Sequence, residues 1–279
     1  MRGDAGYPVR LRFTKVGKVR FVSHRDVARA FERAFRIEAL PLAFTQGFSP
    51  RPKVSFGLAL GVGHESVAEY LDVELASELD ADALPERLSD ALPEGIDVTG
   101  ACRLADRARS LQEAVTAVEL DLAIGGVVES ALDRVIAHVL ASDRLPIETT
   151  RKGEHVTEDL RPAIRRLEHT GGDQGNRVVH VELTTRPHSV RPADLLRALR
   201  MEAGAPEADG ADRVLRTHQW IERDGARLEP LDADRAARTA TPVRVTNKGL
   251  TDDRRDHSGG HGLRTDDAGA TVTGARRIA

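Results

Sequence analysis

Arg25, Arg29, Arg33 and Arg36 recur at spacings of four, four and three along SHRDVARAFERAFR (23–36). On a helix of 3.6 residues per turn they fall within one arc of about 80°, forming a continuous cationic ridge. Guanidinium groups meet phosphate or carboxylate in a planar two-pronged contact, so such a ridge is a candidate anion contact. A solvated face partly balanced by Glu32 and Glu38 gives the same pattern. Beyond the ridge, TQGFSPRPKVSFG (45–57) adds Arg51 and Lys53 between paired prolines and glycines, with Phe48 and Phe56 beside them. Proline fixes φ and glycine admits φ > 0, so this stretch has a stiff, specific shape, and the aromatic rings are stacking surfaces. Ser23, Arg25, Arg29, Arg33, Gln46, Gly47, Phe48, Arg51, Lys53 and Ser55 are therefore the candidate binding residues for an anionic or nucleotide-like ligand.

His24 is the candidate catalytic residue, since imidazole titrates near neutrality and sits here at a helix start, where backbone donors gather. A hydrogen-bonding role beside the cap is the alternative. His24, His64, Glu65 and Glu69 do not fall at a spacing that demands a metal, and no metal ligand set is expected. Neither a P-loop, G-x-S-x-G, H-E-x-x-H nor G-x-G-x-x-G occurs, and no cofactor is expected. Cys102 is the single cysteine, which excludes an internal disulfide and any cluster needing three or four cysteines of this chain.

The elements that must position these residues follow from periodicity. VRLRFTKVG (9–17) and KVRFVSH (18–24) alternate apolar and polar residues about Gly17 and predict a strand pair. Ser23 and Asp26 form a capping signature for a helix over 25–40, closed by Pro41. LAFTQ predicts a short strand, AEYLDVELAS (68–77) a strand, ADALPERLSDAL a helix and GIDVTGACRL a strand. The second half repeats the order loosely, with strands in AVELDLAI, NRVVHVELTT and RVLRTHQWIER, strands or a hairpin in LPIETTRKG and near RPAIRRLEHT, and helices in VVESALDRVIAHVLAS and RPADLLRALRMEA. DVELAS (72–77) and HVELTT (180–185) are matching strands, each followed by a helix, which points to duplication. Trp220 is expected in the core.

The β, α, β, β, α, β order in each half predicts an α+β chain of two ferredoxin-like domains in tandem, 7–112 and 113–230, with a disordered tail over 231–279. Charge is uneven: from Met1 to Lys53 twelve Lys or Arg face four Asp or Glu, and from Val54 to Leu120 four face fourteen. That marks either an anion-binding face or two parts that neutralise each other. No apolar run reaches membrane-span length, and MRGDAGYPVRLRF lacks the apolar stretch of a secretory signal, so a cytoplasmic protein without membrane partners is expected.

Residues 12–75 resemble a bacterial family, the radical-SAM-linked proteins. The pattern is carried by Lys15, Gly17, Ser23, His24, Asp26, Glu32, Arg33, Arg36, Leu40, Pro41, Gly47, Phe48, Pro50, Pro52, Ser55, Phe56, Gly63, Ser66, Glu69, Tyr70 and Asp72. RPADLLRAL fits the family's weaker second half. Ile37 and Arg51 depart from it, standing where arginine and histidine are usual. The resemblance implies a domain of unknown function found beside or fused to a radical-SAM protein with a cobalamin-binding-like domain, and near a ribonuclease of the E/G type. This chain lacks the Cys-x-x-x-Cys-x-x-Cys motif, so the resemblance implies an accessory protein rather than the radical enzyme. The expected function is an accessory protein that binds RNA or a nucleotide-like anion. The alternatives are an RNA-processing enzyme using His24, by analogy with endonucleases of paired ferredoxin-like domains, and a scaffold without ligand.

Overall fold

Along β1 (Tyr7–Lys15) the side chains of Val9, Leu11 and Phe13 alternate with Arg10 and Arg12, and the alternation sorts them onto two faces. The apolar set packs with Phe31 and Phe35 of α1 (His24–Ile37), Leu84 and Leu88 of α2 (Leu84–Ala91), and Leu71, Val73 and Leu75 of β3 (Glu65–Leu75). In this computed structural model, residues 6–105, 108–151, 153–172, 176–187, 189–205 and 212–240 are described. They lie within one compact unit, 1–241.

The first half adds β2 (Val54–Phe56) and β4 (Val98–Arg103), giving the antiparallel order β4-β1-β3, with β2 pairing β3. After α3 (Leu111–Ala114), the second half runs β5 (Ala117–Gly125), α4 (Glu129–Ala141), β8 (Ile164–Gly171), β9 (Asn176–Thr184), α5 (Pro192–Glu202) and β10 (Arg213–Arg223). Between α4 and β8 a separate hairpin intervenes, β6 (Pro146–Arg151) with β7 (Glu154–Asp159). The second-half strands order as β10-β5-β9-β8, all antiparallel. Asp72–Leu75 and His180–Thr184, the matching segments of the two halves, thus lie on β3 and β9, which hold corresponding places. A parallel contact of β10 with β3, at Leu215 with Glu65 and Arg216 with Ser66, joins the strands of both halves, the β6–β7 hairpin apart, into one mixed sheet. The chain is a mixed α+β fold built on this sheet.

Three expectations are corrected. Residues 18–24 form no strand: a 3-10 turn over Gly17–Phe21 leads straight into α1. β1 already has β3 on one edge and β4 on the other, so no edge remains for a hairpin partner. Trp220 is half-buried rather than core, because Gln219 and Ile221 take the inward positions of β10. Its ring stacks on His218 with centroids 5.1 Å apart, and Arg227 of β11 (Ala226–Leu228) lies 4.5 Å over it.

The third concerns the expected disordered tail, whose first part is a helix, α6 (Pro230–Ala240), with Leu231 and Ala233 buried. Arg10, projecting from the face of β1 opposite Leu11, explains the docking. It is fully buried, and its guanidinium donates to both oxygens of Asp72 (2.7 and 2.9 Å) and to Asp234 of α6 (2.7 Å). The rest of the expected tail, 241–279, and the centre of the GGDQGN loop tip lie outside the described residues. Among the described residues no helix is long and apolar enough to cross a membrane.

Candidate anion-binding groove

α1 exists where its apolar residues can be buried on one side. Val27, Phe31, Ala34 and Phe35, at i, i+4, i+7 and i+8, face the sheet. Ser23 caps it: its Oγ accepts from the Asp26 amide (3.3 Å) and donates to the Asp26 carboxylate (2.7 Å). That contact, followed by Arg29, holds the Asp26 carboxyl below its usual range. The helix ends in a Schellman motif, with Leu40 N donating to Phe35 O and Ala39 N to Arg36 O. Ala39 stands at φ 48°, the left-handed position that glycine normally fills.

The chain then makes an irregular ribbon against the end of β3. Leu42 bridges Leu75, Ala43 N donates to Glu74 O, and the returning Lys53 O accepts from Glu74 N. Within the ribbon Phe44 bridges Pro52, Thr45 N donates to Arg51 O, and Thr45 Oγ1 accepts from Arg51 N. The expected strand at 42–46 is reduced to these bridges, and residues 46–50 form the protruding tip.

Between α1 and this ribbon lies an open groove of about 940 Å³. Its walls are Arg25, Arg29 and Arg36 on the helix and Arg51 on the ribbon; its floor includes Phe35, Leu42, Val54 and Phe56. Arg29 pairs with Asp26 at 2.9 Å, whereas the guanidinium groups of Arg25, Arg36 and Arg51 make no hydrogen bond or salt bridge among the described residues. Arg25 and Arg36 are eleven residues apart, about 16 Å along the helix axis.

The candidate residues divide accordingly. Arg25, Arg29 and Arg51 come together at the groove. Arg33 does not line it, being rotated about 80° from Arg25 at 100° per residue, to the outer edge of the arc. Lys53 and Ser55 alternate with Val54 and Phe56 and border a separate depression with Asp72 and Glu74. Lys53 is moreover paired with Glu74 at 2.9 Å. Gln46, Gly47 (φ 127°) and Phe48 sit at the ribbon tip, outside the groove lining, with Phe48 fully exposed. Ser23 is occupied as the cap. Glu32 and Phe44 line the groove without having been singled out for binding. Glu32 was legible from its helix position between Arg29 and Arg36; Phe44 required the ribbon.

His24 opens α1 with its ring edge-on to Phe56, centroids 4.9 Å apart. Beyond Phe56 it borders a small cavity of about 20 Å³ with Lys15, Glu69 and Tyr70, room for about one water. Lys15 is almost fully buried, its Nζ donating to Arg20 O at 3.1 Å. Burial lowers its pKa, and Glu69 opposes that shift. Burial also raises the Tyr70 pKa, and its hydroxyl is buried without a partner. Elsewhere Glu129, Asp133 and His169 approach closely enough to hold a metal ion, but both carboxylates are exposed.

No curated protein matches the sequence. Solved structures that the chain resembles in part include a Cbf5-Nop10-Gar1 complex, at 11% identity and TM-score 0.43, covering 77% of this chain and 49% of that one. Another is an H/ACA RNP bound to a substrate RNA containing 2'-deoxyuridine, at 12% identity and TM-score 0.40, covering 78% and 53%. The chain spans about half the length of these solved chains. Residues 9–192 match the model of a family described as "Uncharacterized protein conserved in bacteria (DUF2344)", and the chain belongs to that family.

Proposed function

We propose that the groove between α1 and the 42–56 ribbon binds RNA, with Arg25, Arg29, Arg36 and Arg51 on phosphates. The observation that carries this reading is the set of three arginines, Arg25, Arg36 and Arg51, left without carboxylate partners around an apolar floor. Elsewhere the same chain pairs its arginines closely, as in Arg10 with Asp72, Arg216 with Glu69 and Arg200 with Asp212. Phe48 at the tip adds a stacking surface for an unpaired base. Two ferredoxin-like units in tandem, divided near residue 112 and sharing one sheet, form the framework; the strand order of each half supports this. A radical-SAM partner and a ribonuclease E/G-type partner rest on the resemblance of residues 12–75.

The test is electrophoretic mobility of a labelled RNA 16-mer at several salt concentrations. Affinity falls with a log–log slope of about −0.7 per phosphate contact on single strands. Arg25→Glu/Arg36→Glu/Arg51→Glu abolishes the shift, while Arg33→Glu changes it less than threefold. Equal binding by the triple variant removes the groove from the RNA contact.

A second reading makes the protein an RNA-processing enzyme with His24 as acid/base. Its support is the placement of His24, Lys15 and Glu69 around one cavity that shares Phe56 with the groove. His24→Ala then stops turnover of a bound RNA while affinity stays within a few-fold; unchanged turnover rejects it. A scaffold without ligand is the outcome if no RNA binds.

A further inference from the structure

Glu32 is the only carboxylate lining the groove among the described residues, and it is placed to discriminate against the phosphates that the arginines attract. It has Arg29 three residues back and Arg36 four residues on, the spacings at which a helix forms ion pairs, yet its carboxylate forms no salt bridge or side-chain hydrogen bond with either. Arg29 turns instead to Asp26. An ionised carboxylate only accepts hydrogen bonds, so its partner in the ligand must be a donor. In RNA the donors are base N–H groups and 2'-hydroxyls.

The floor narrows this further. Phe35, Leu42, Val54 and Phe56 offer no partner to a phosphate or a sugar hydroxyl, and a duplex would leave them facing its charged exterior. A base unstacked from a single strand covers such a floor, leaving its polar edge to meet a side chain. Guanine presents two adjacent donors on its Watson–Crick edge, N1–H and the N2 amino group, which match the two oxygens of one carboxylate. Cytosine and adenine present a single amino group beside a ring acceptor. Uracil presents one N–H between two carbonyl oxygens that a carboxylate repels.

We infer that Glu32 is a specificity-determining residue, reading the donor edge of a guanine in single-stranded RNA laid on the groove floor. This rests on the reading that the groove binds RNA, and the experiment separates the two. Fluorescence polarisation compares labelled uridine octamers carrying one central G, A or C with the all-U octamer, on wild type, Glu32→Gln and Arg25→Glu/Arg51→Glu. A good two-pronged contact to a base discriminates by roughly tenfold or more. The expected result is G-octamer binding about tenfold tighter than U in the wild type, falling to within twofold in Glu32→Gln. Arg25→Glu/Arg51→Glu weakens all four octamers alike. Base-blind binding that the arginine variant abolishes overturns the Glu32 assignment and leaves the groove reading intact. A guanine preference that survives Glu32→Gln overturns it too. Uniformly tighter binding by Glu32→Gln shows a bare charge effect and overturns base reading. If no octamer binds the wild type, both readings fall. GMP displacing the G-octamer at equal concentration assigns the site to a free nucleotide and overturns the single-strand assignment.

Discussion

Arg216 donates to Glu69 at 2.8 Å across the parallel junction of β3 with β10, and both side chains are about nine-tenths buried. The same guanidinium donates to the carbonyls of Leu58 and Ala59 at 3.1 and 3.0 Å, so one side chain ties the 57–64 loop and the two halves of the sheet together. Removing one partner of a buried pair strands the other charge away from water. Glu69→Leu should lower stability by about 3–5 kcal/mol. Arg216→Met combined with it should cost clearly less than the sum of the single changes, measured by urea denaturation as a double-mutant cycle. Additive losses would mean the pair does not couple the halves.

Arg10 makes the corresponding argument for α6. Arg10→Met leaves Asp72 and Asp234 facing each other without their cation, at a cost of about 3–5 kcal/mol. Because α6 is held at its inner side by Asp234, its amides should lose hydrogen-exchange protection first. Uniform loss of protection over the whole chain would contradict a local latch.

Glu65 predicts an acid-sensitive step. Burial alone would raise its pKa, but the Arg213 guanidinium, the Gly17 amide at 2.7 Å and Arg20 outweigh burial and hold it below the ordinary value of 4.5. A depressed carboxyl contributes stability that is complete above its unfolded pKa and is lost as pH falls through the folded one. Wild type should therefore melt higher than Glu65→Gln at pH 7, with the gap closing as pH drops below about 4.5. A gap constant down to pH 3 would exclude the ionic contribution.

Two backbone positions give opposite signs. Ala39→Gly relieves a left-handed φ of 48° in the Schellman motif and should gain up to about 1 kcal/mol. Gly95 has φ 91°, and an added Cβ would stand 2.3 Å from Val16 O. Gly95→Ala must shift the β1–β4 end of the sheet and should cost at least about 2 kcal/mol. Thermal melts of the two variants on either side of wild type would confirm the pairing.

The start of helix α1, its cap and its arginine ridge were legible because they depend on one local period, but its end was not: the expected span to residue 40 stops at Ile37, where the left-handed Ala39 turns the chain. The strands β1, β3, β4, β5, β9 and β10 were legible from the same kind of local periodicity, down to the DVEL and HVEL segments on β3 and β9, whereas β2 was not, the expected strand at 42–46 being reduced to bridges. The placement of residues 18–24 was not, since their alternation fits a strand and only the prior occupation of both edges of β1 rules it out. Nor was α6: its polar sequence gives little drive to fold alone, and the partly buried Asp234 finds its partner on β1, more than two hundred residues away in sequence.

For the groove, the sequence by itself determined the arginine ridge and the stiffness of the ribbon, both properties of neighbouring residues. Which cations face the groove was decided by tertiary structure. The alternation of β2 turns Lys53 and Ser55 away, Glu74 neutralises Lys53, and the rotation of α1 carries Arg33 to the edge. Electrostatic partners and strand faces depend on contacts distant in the chain. Local periodicity places a charge on an element and leaves open what that charge meets.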